Sequence, residues 1–127
     1  MRPTLIDSIT APDLSVLRKL DPTPYGQAVS GSIAATMTQL MVNNVANGVA
    51  SNARISGVDV AGKTGTAQNG EGKQPFTLWF TGFAPANDPQ VAVAVVVENG
   101  GGRGQSAVGN TIAAPIAKKV IEAVLNR

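Results

Sequence analysis

The chain has 127 residues, 43% of them hydrophobic, which is enough for one compact core. No break in composition argues for two domains, so residues 1–127 read as one domain or part of one. Ten Lys and Arg against eight Asp and Glu leave a scattered net charge of +2, which argues against a nucleic-acid partner, and the absence of Cys and His excludes Ser-His-Asp and Cys-His centres, thiol nucleophiles, disulfides and the usual zinc sites.

Any catalysis must therefore use Ser, Thr, Lys, carboxylates or backbone amides, and neither a metal nor a cofactor is expected. No apolar run reaches the roughly 20 residues that span a bilayer, and no basic-then-apolar leader opens the chain, so by itself it is expected to be soluble.

The opening Met1 to Ile9 is a short apolar segment without a clear period, readable as a helix turn or an edge strand. Pro12, Asp21-Pro22 and Pro24 punctuate the next stretch and leave room for a short helix around Asp13 to Leu20. From Ser32 the pattern clears: Ile33, Met37, Leu40, Met41 and Val45 recur at helical spacing, with Ser32 to cap the start and Gly48 to end it.

Three strand signals come next, over Ile55 to Ala67, Phe76 to Phe83 and Gln90 to Glu98. The turns between them, 68–72 and 85–89, are short enough for hairpins, so the sheet is expected to be antiparallel and the fold α+β. A flexible glycine loop, Gly100-Gly-Gly-Arg-Gly-Gln105, leads to a final helix. There Ile112, Ile116, Val120 and Val124 lie four apart with Lys118 and Lys119 outward, and Pro115 is expected to kink the helix or mark its start.

One stretch, GVDVAGKTGTAQNG from Gly57 to Gly70, admits three readings. Its first eight letters satisfy the phosphate-loop pattern G-x-x-x-x-G-K-[ST], but such a loop needs a helix directly after it, and Gly65, Thr66, Asn69 and Gly70 oppose one. A lysine on an edge strand also serves merely to discourage aggregation. The third reading is Lys63-Thr64-Gly65 as the K-T-G element of β-lactamases and penicillin-binding proteins. In a strand, Lys63 and Gly65 fall on one face and Thr64 and Thr66 on the other, so one ligand reaches all four only along the edge. An extended peptide pairing there would find room beside Gly65, hydroxyls and an ammonium for a carboxylate, and the Thr66 amide for a developing oxyanion.

The motif lies within the segment Ile55 to Gln68, and two more follow in order: Leu78-Trp-Phe-Thr-Gly-Phe-Ala-Pro85, and Val91 to Asn99 with the glycine loop and final helix after it. Together with the helix from Ser32 to Asn47, they closely resemble the C-terminal part of the transpeptidase domain of class B penicillin-binding proteins. The resemblance implies an antiparallel sheet flanked by helices, the C-terminal part of a β-lactamase/transpeptidase-like fold. It also implies a serine-type D,D-transpeptidase parent that cross-links peptidoglycan stem peptides and is trapped by β-lactams.

Carried over by motif, Lys63 contributes positive charge and proton relay, Thr64 and Thr66 bind the substrate carboxylate beside Gly65, and the Thr66 N–H is one of two oxyanion donors. The Trp79 and Phe83 segment resembles the neighbouring strand, its aromatics packing rather than catalysing.

The chain departs from the family pattern, since S-x-x-K and S-x-N occur nowhere in it. In the family both precede the residues found here. The expected partner is therefore the N-terminal part of the same domain, in a parent anchored to the plasma membrane with its catalytic domain outside, and the chain alone is expected to be inert and to self-associate. The competing expectation is a non-catalytic interaction module that binds an extended peptide at an edge strand.

Overall fold

A computed structural model describes residues 2–126. It divides into two compact units, the residues up to Gly31 and those from Ser32 onward.

In the first unit, β1 (Ser8–Thr10) and β2 (Val16–Lys19) form an antiparallel pair, with Ser8 opposite Lys19 and Ile9 opposite Arg18. The opening apolar segment thus supplies a strand, while Met1 lies outside the described residues. The helix expected over Asp13 to Leu20 is a turn and strand instead. Asp13 Oδ1 accepts from both the Ser15 N–H and the Ser15 hydroxyl, and Leu14 adopts φ 67°, in the left-handed region that breaks a right-handed helix. These two bonds hold the Asp13 carboxyl below its ordinary pKa.

Helix α1 (Gly31–Ala46), which belongs to the second unit from Ser32 onward, forms where the apolar period placed it. Its end is fixed by the Arg54 Nε, which donates to the Val45 carbonyl at 3.0 Å. Only Val45 of this helix is buried, whereas Ile33, Met37 and Leu40, three of the five residues of the stripe that defined the helix, are exposed.

After a 3₁₀ turn at Ser51–Ala53 come β3 (Ala61–Ala67), β4 (Thr77–Ala84) and β5 (Val91–Val97), in a three-stranded antiparallel sheet of order β3-β4-β5. The first strand starts later than its hydrophobic pattern, because Ile55 and Val58 close an isolated bridge on themselves before the ladder begins.

The register sorts the faces. Leu78, Phe80 and Ala84 of β4 are buried, and Val91, Val93, Val95 and Val97 of β5 pack beside them on the same face. Helix α2 (Gly109–Val124) covers this face and runs through Pro115.

The side of α2 that meets the sheet is not the predicted stripe. Gly109, Ala113, Ala114, Ala117 and Ile121 are buried, while Ile116, Val120 and Val124 stay 43%, 42% and 51% exposed. Large side chains on the strands, Phe80 and Leu78, fill the space between the layers, so small residues on the helix let it approach.

The glycine loop follows a defined path, with Asn99, Gly100 and Gly101 in succession at φ between 53° and 60°, a backbone that glycine adopts without strain. Gly100 N–H donates to the Phe76 carbonyl at 2.7 Å, and Gln105 Nε2 donates to the Gly72 and Gln74 carbonyls, tying this loop to the β3–β4 connection.

Candidate functional site

Strand β3 pairs with β4 on one side, opposing Lys63 to Thr81, Thr64 to Phe80, Gly65 to Trp79 and Thr66 to Leu78, and it forms one end of the sheet order. The K-T-G residues therefore lie inside an edge strand and not in a strand-to-helix loop, which removes the phosphate-loop reading. Because Thr64 and Thr66 pair with the buried Phe80 and Leu78, they belong to the face that α2 covers, and Lys63 and Gly65 belong to the opposite face with Trp79 and Thr81. The split expected from alternation is the one observed.

An antiparallel ladder turns the N–H and C=O of successive residues alternately toward the partner strand and away from it. The Gly62 carbonyl accepts from Asn44 Nδ2 of α1 at 2.9 Å, which assigns Gly62 to the set turned from β4. By the same alternation Thr64 and Thr66 present their backbone groups to the open edge.

Lys63 is exposed, and its Nζ donates to the Thr64 carbonyl, so the ammonium folds along this edge. Thr66 is exposed as well, yet its hydroxyl oxygen accepts from the Gly109 N–H at 3.2 Å. The first turn of α2 is thus fastened to the last K-T-G-T residue.

Glycines set how closely these parts approach. A Cβ at Gly62 would come within 2.5 Å of the Phe80 ring, and one at Gly109 would come within 2.6 Å of both the Gly65 and Trp79 carbonyls. A Cβ at Gly65 would come within 3.2 Å of the Trp79 Cβ, so Gly65 keeps the site face low beside the indole. Trp79 itself is 46% exposed and Phe83 half-buried, so the indole packs only in part.

Asn44, Gly109 and the Thr66–Gly109 bond escape sequence reasoning. Asn44 falls within the apolar stripe of α1, four residues after Leu40 and seven after Met37, where it reads only as a polar interruption, and Gly109 reads there as an ordinary loop-to-helix residue. Among the described residues no group of His, Cys, Asp or Glu is placed to hold a metal ion, and no helix is long and apolar enough to cross a membrane.

Comparison with known proteins agrees with this geometry. The family model of the penicillin-binding protein transpeptidase domain matches residues 1–122. The peptidoglycan D,D-transpeptidase PbpA of Mycolicibacterium smegmatis is 46% identical over 98% of this chain and 26% of its own length. Stage V sporulation protein D of Bacillus subtilis is 36% identical over 91% of this chain and 18% of its own.

Among solved structures, the ceftriaxone acyl-enzyme complex of penicillin-binding protein A from M. tuberculosis aligns with a TM-score of 0.87 and 44% identity, covering 98% of this chain and 28% of that one. The chain spans about a quarter of the length of these mycobacterial proteins. Sequence, register and structural likeness agree over nearly its whole length, and the chain belongs to the penicillin-binding protein transpeptidase family, whose α+β fold it shares.

Proposed function

We propose that this chain supplies the K-T-G strand of a peptidoglycan D,D-transpeptidase, with the acyl donor lying along the open edge of β3. The observation that carries this reading is the edge itself: Lys63, Thr64, Gly65 and Thr66 follow one another on a strand paired on one side only, with Lys63 and Thr66 exposed.

The D-Ala-D-Ala end of a stem peptide is an extended backbone ending in a carboxylate. Strand addition at β3 recognises the backbone, and the Thr64 and Thr66 hydroxyls with the Lys63 ammonium recognise the carboxylate. A serine outside these residues attacks the penultimate carbonyl, the Thr66 N–H donates to the oxyanion, and Lys63 provides charge and a proton path as D-alanine leaves. An amine from a neighbouring strand then takes the acyl group. β-Lactams enter the same edge, as mimics of the dipeptide.

The serine and its lysine belong to the N-terminal part of the same domain, which is the partner this reading requires. In this reading the parent is anchored at the plasma membrane with this domain outside the cell. The test is the second-order rate of acylation of the complete domain by a penicillin, for wild type and Lys63→Ala. Loss of acylation in a folded Lys63→Ala domain supports the reading. A wild-type rate in that variant overturns the role given to Lys63, and a wild-type complete domain that binds an extended peptide at β3 without being acylated favours a peptide-binding module without chemistry.

A further inference from the structure

Helix α2 begins at Gly109, after Val108, whose side chain carries no polar atom to cap it. The orphan N–H groups of the first turn need acceptors. Thr111 serves one nearby group, its Oγ1 lying 3.4 Å from the Val108 N–H. The Gly109 N–H instead finds its acceptor on another element, the Thr66 hydroxyl oxygen at 3.2 Å. This reach is possible because Gly109 is buried against the sheet with no Cβ, at a point where any side chain would meet the Gly65 and Trp79 carbonyls at 2.6 Å.

A hydroxyl has one proton to give and two lone pairs to accept with. Once one lone pair is held by an N–H, the rotor is fixed and the proton is confined to the remaining directions. An accepted bond also polarises the hydroxyl and makes it a better donor. Two further groups brace the turn that holds this N–H: Asn110 Oδ1 accepts from the Asn52 N–H at 3.0 Å, and Asn52 Nδ2 donates to the Asn110 carbonyl at 3.0 Å.

Resting on the function proposed above, we propose that Gly109 is a positioning residue for carboxylate recognition. Its N–H holds Thr66 as acceptor, so that the Thr66 hydroxyl proton is presented to the carboxylate of the acyl donor or β-lactam. Gly109 touches no substrate and acts through Thr66.

The test uses the complete transpeptidase domain and reads a carboxylate preference, the ratio of acylation rates with a free-acid penicillin and with the methyl ester of the same penicillin. Glycolic acid incorporated at position 109 replaces the amide with an ester, removing the N–H and adding no atom beyond the backbone. This substitution is expected to lower the ratio by about three- to tenfold, the worth of one ordinary hydrogen bond. In a Thr66→Val background it should lower the ratio no further. Thr111→Val, which weakens the same helix end without touching Thr66, is expected to lower the melting temperature and leave the ratio alone.

A wild-type ratio in the ester variant, with Thr66→Val still losing the preference, overturns the role of Gly109 and leaves the proposed function standing. Loss of the preference in none of the variants, Thr66→Val included, overturns both. If the ester variant fails to fold, the Gly109 amide resonance of the wild-type domain decides the matter. A shift on acylation by the free acid and none with the ester supports the proposal, and equal behaviour with both overturns it.

Discussion

Lys63 and Thr66 occupy one edge but are asked for different things, and substitution separates them. Lys63→Ala removes a charge that no neighbour within these residues replaces, since the nearest basic residues in sequence are Arg54 and Lys73. In the complete domain it is expected to depress acylation by roughly a hundred- to ten-thousandfold, the usual worth of a positioned proton-transfer group. Thr66→Val keeps the backbone N–H and removes only the hydroxyl. It should weaken carboxylate binding by about ten- to a hundredfold, as befits a hydrogen bond to a charged group, and change the limiting rate little. Measured acylation kinetics, split into binding and limiting rate, check both. Gly82 is the purely structural counterpart, because a Cβ there would come within 2.5 Å of the Ala61 carbonyl, which is backbone and yields poorly. Gly82→Ala is expected to cost about 1–3 kcal/mol, read as a lowered unfolding midpoint.

At the scale of elements, the β1–β2 hairpin turns on Asp13. Its carboxyl is held below the ordinary value by the side-chain and backbone bonds from Ser15, so the stabilisation is present in full above the unfolded pKa and is lost as pH falls through the lower folded value. Amide signals of residues 11–15 are expected to lose their folded dispersion over that acidic interval, and Asp13→Asn should abolish the pH dependence. Helix α2 gives the contrasting lesson. Its four-residue apolar stripe was legible, yet the sheet took the alanine side, because the bulk of the interface already stood on β4.

For the whole molecule, the exposed stripes are the dominant fact. Ile33, Met37 and Leu40 on α1 and Ile116, Val120 and Val124 on α2 leave apolar area uncovered within these residues. The isolated chain is expected to associate with itself, and sedimentation across a concentration series checks this; a monodisperse monomer at all concentrations is the contrary result. With no serine in an S-x-x-K context, the same chain should form no penicilloyl adduct in intact-mass measurement.

Local pattern was enough for the three strands of the larger sheet, their antiparallel order, the two long helices, the family and the K-T-G-T segment, because alternation, turn residues and motif spacing are local properties of the chain. It also placed Lys63 and the threonines on opposite faces, since a strand's period of two allows nothing else. It misread residues 13–20, where an aspartate turn and a left-handed Leu14 outweighed a helix that only proline spacing had allowed. Tertiary structure alone decided which side of α2 is buried, that Asn44 takes the Gly62 carbonyl, and that Gly109 fastens the helix to Thr66. Those contacts join residues 18 and 43 positions apart in the chain, and no local pattern records the distance at which two layers settle once their side chains are packed.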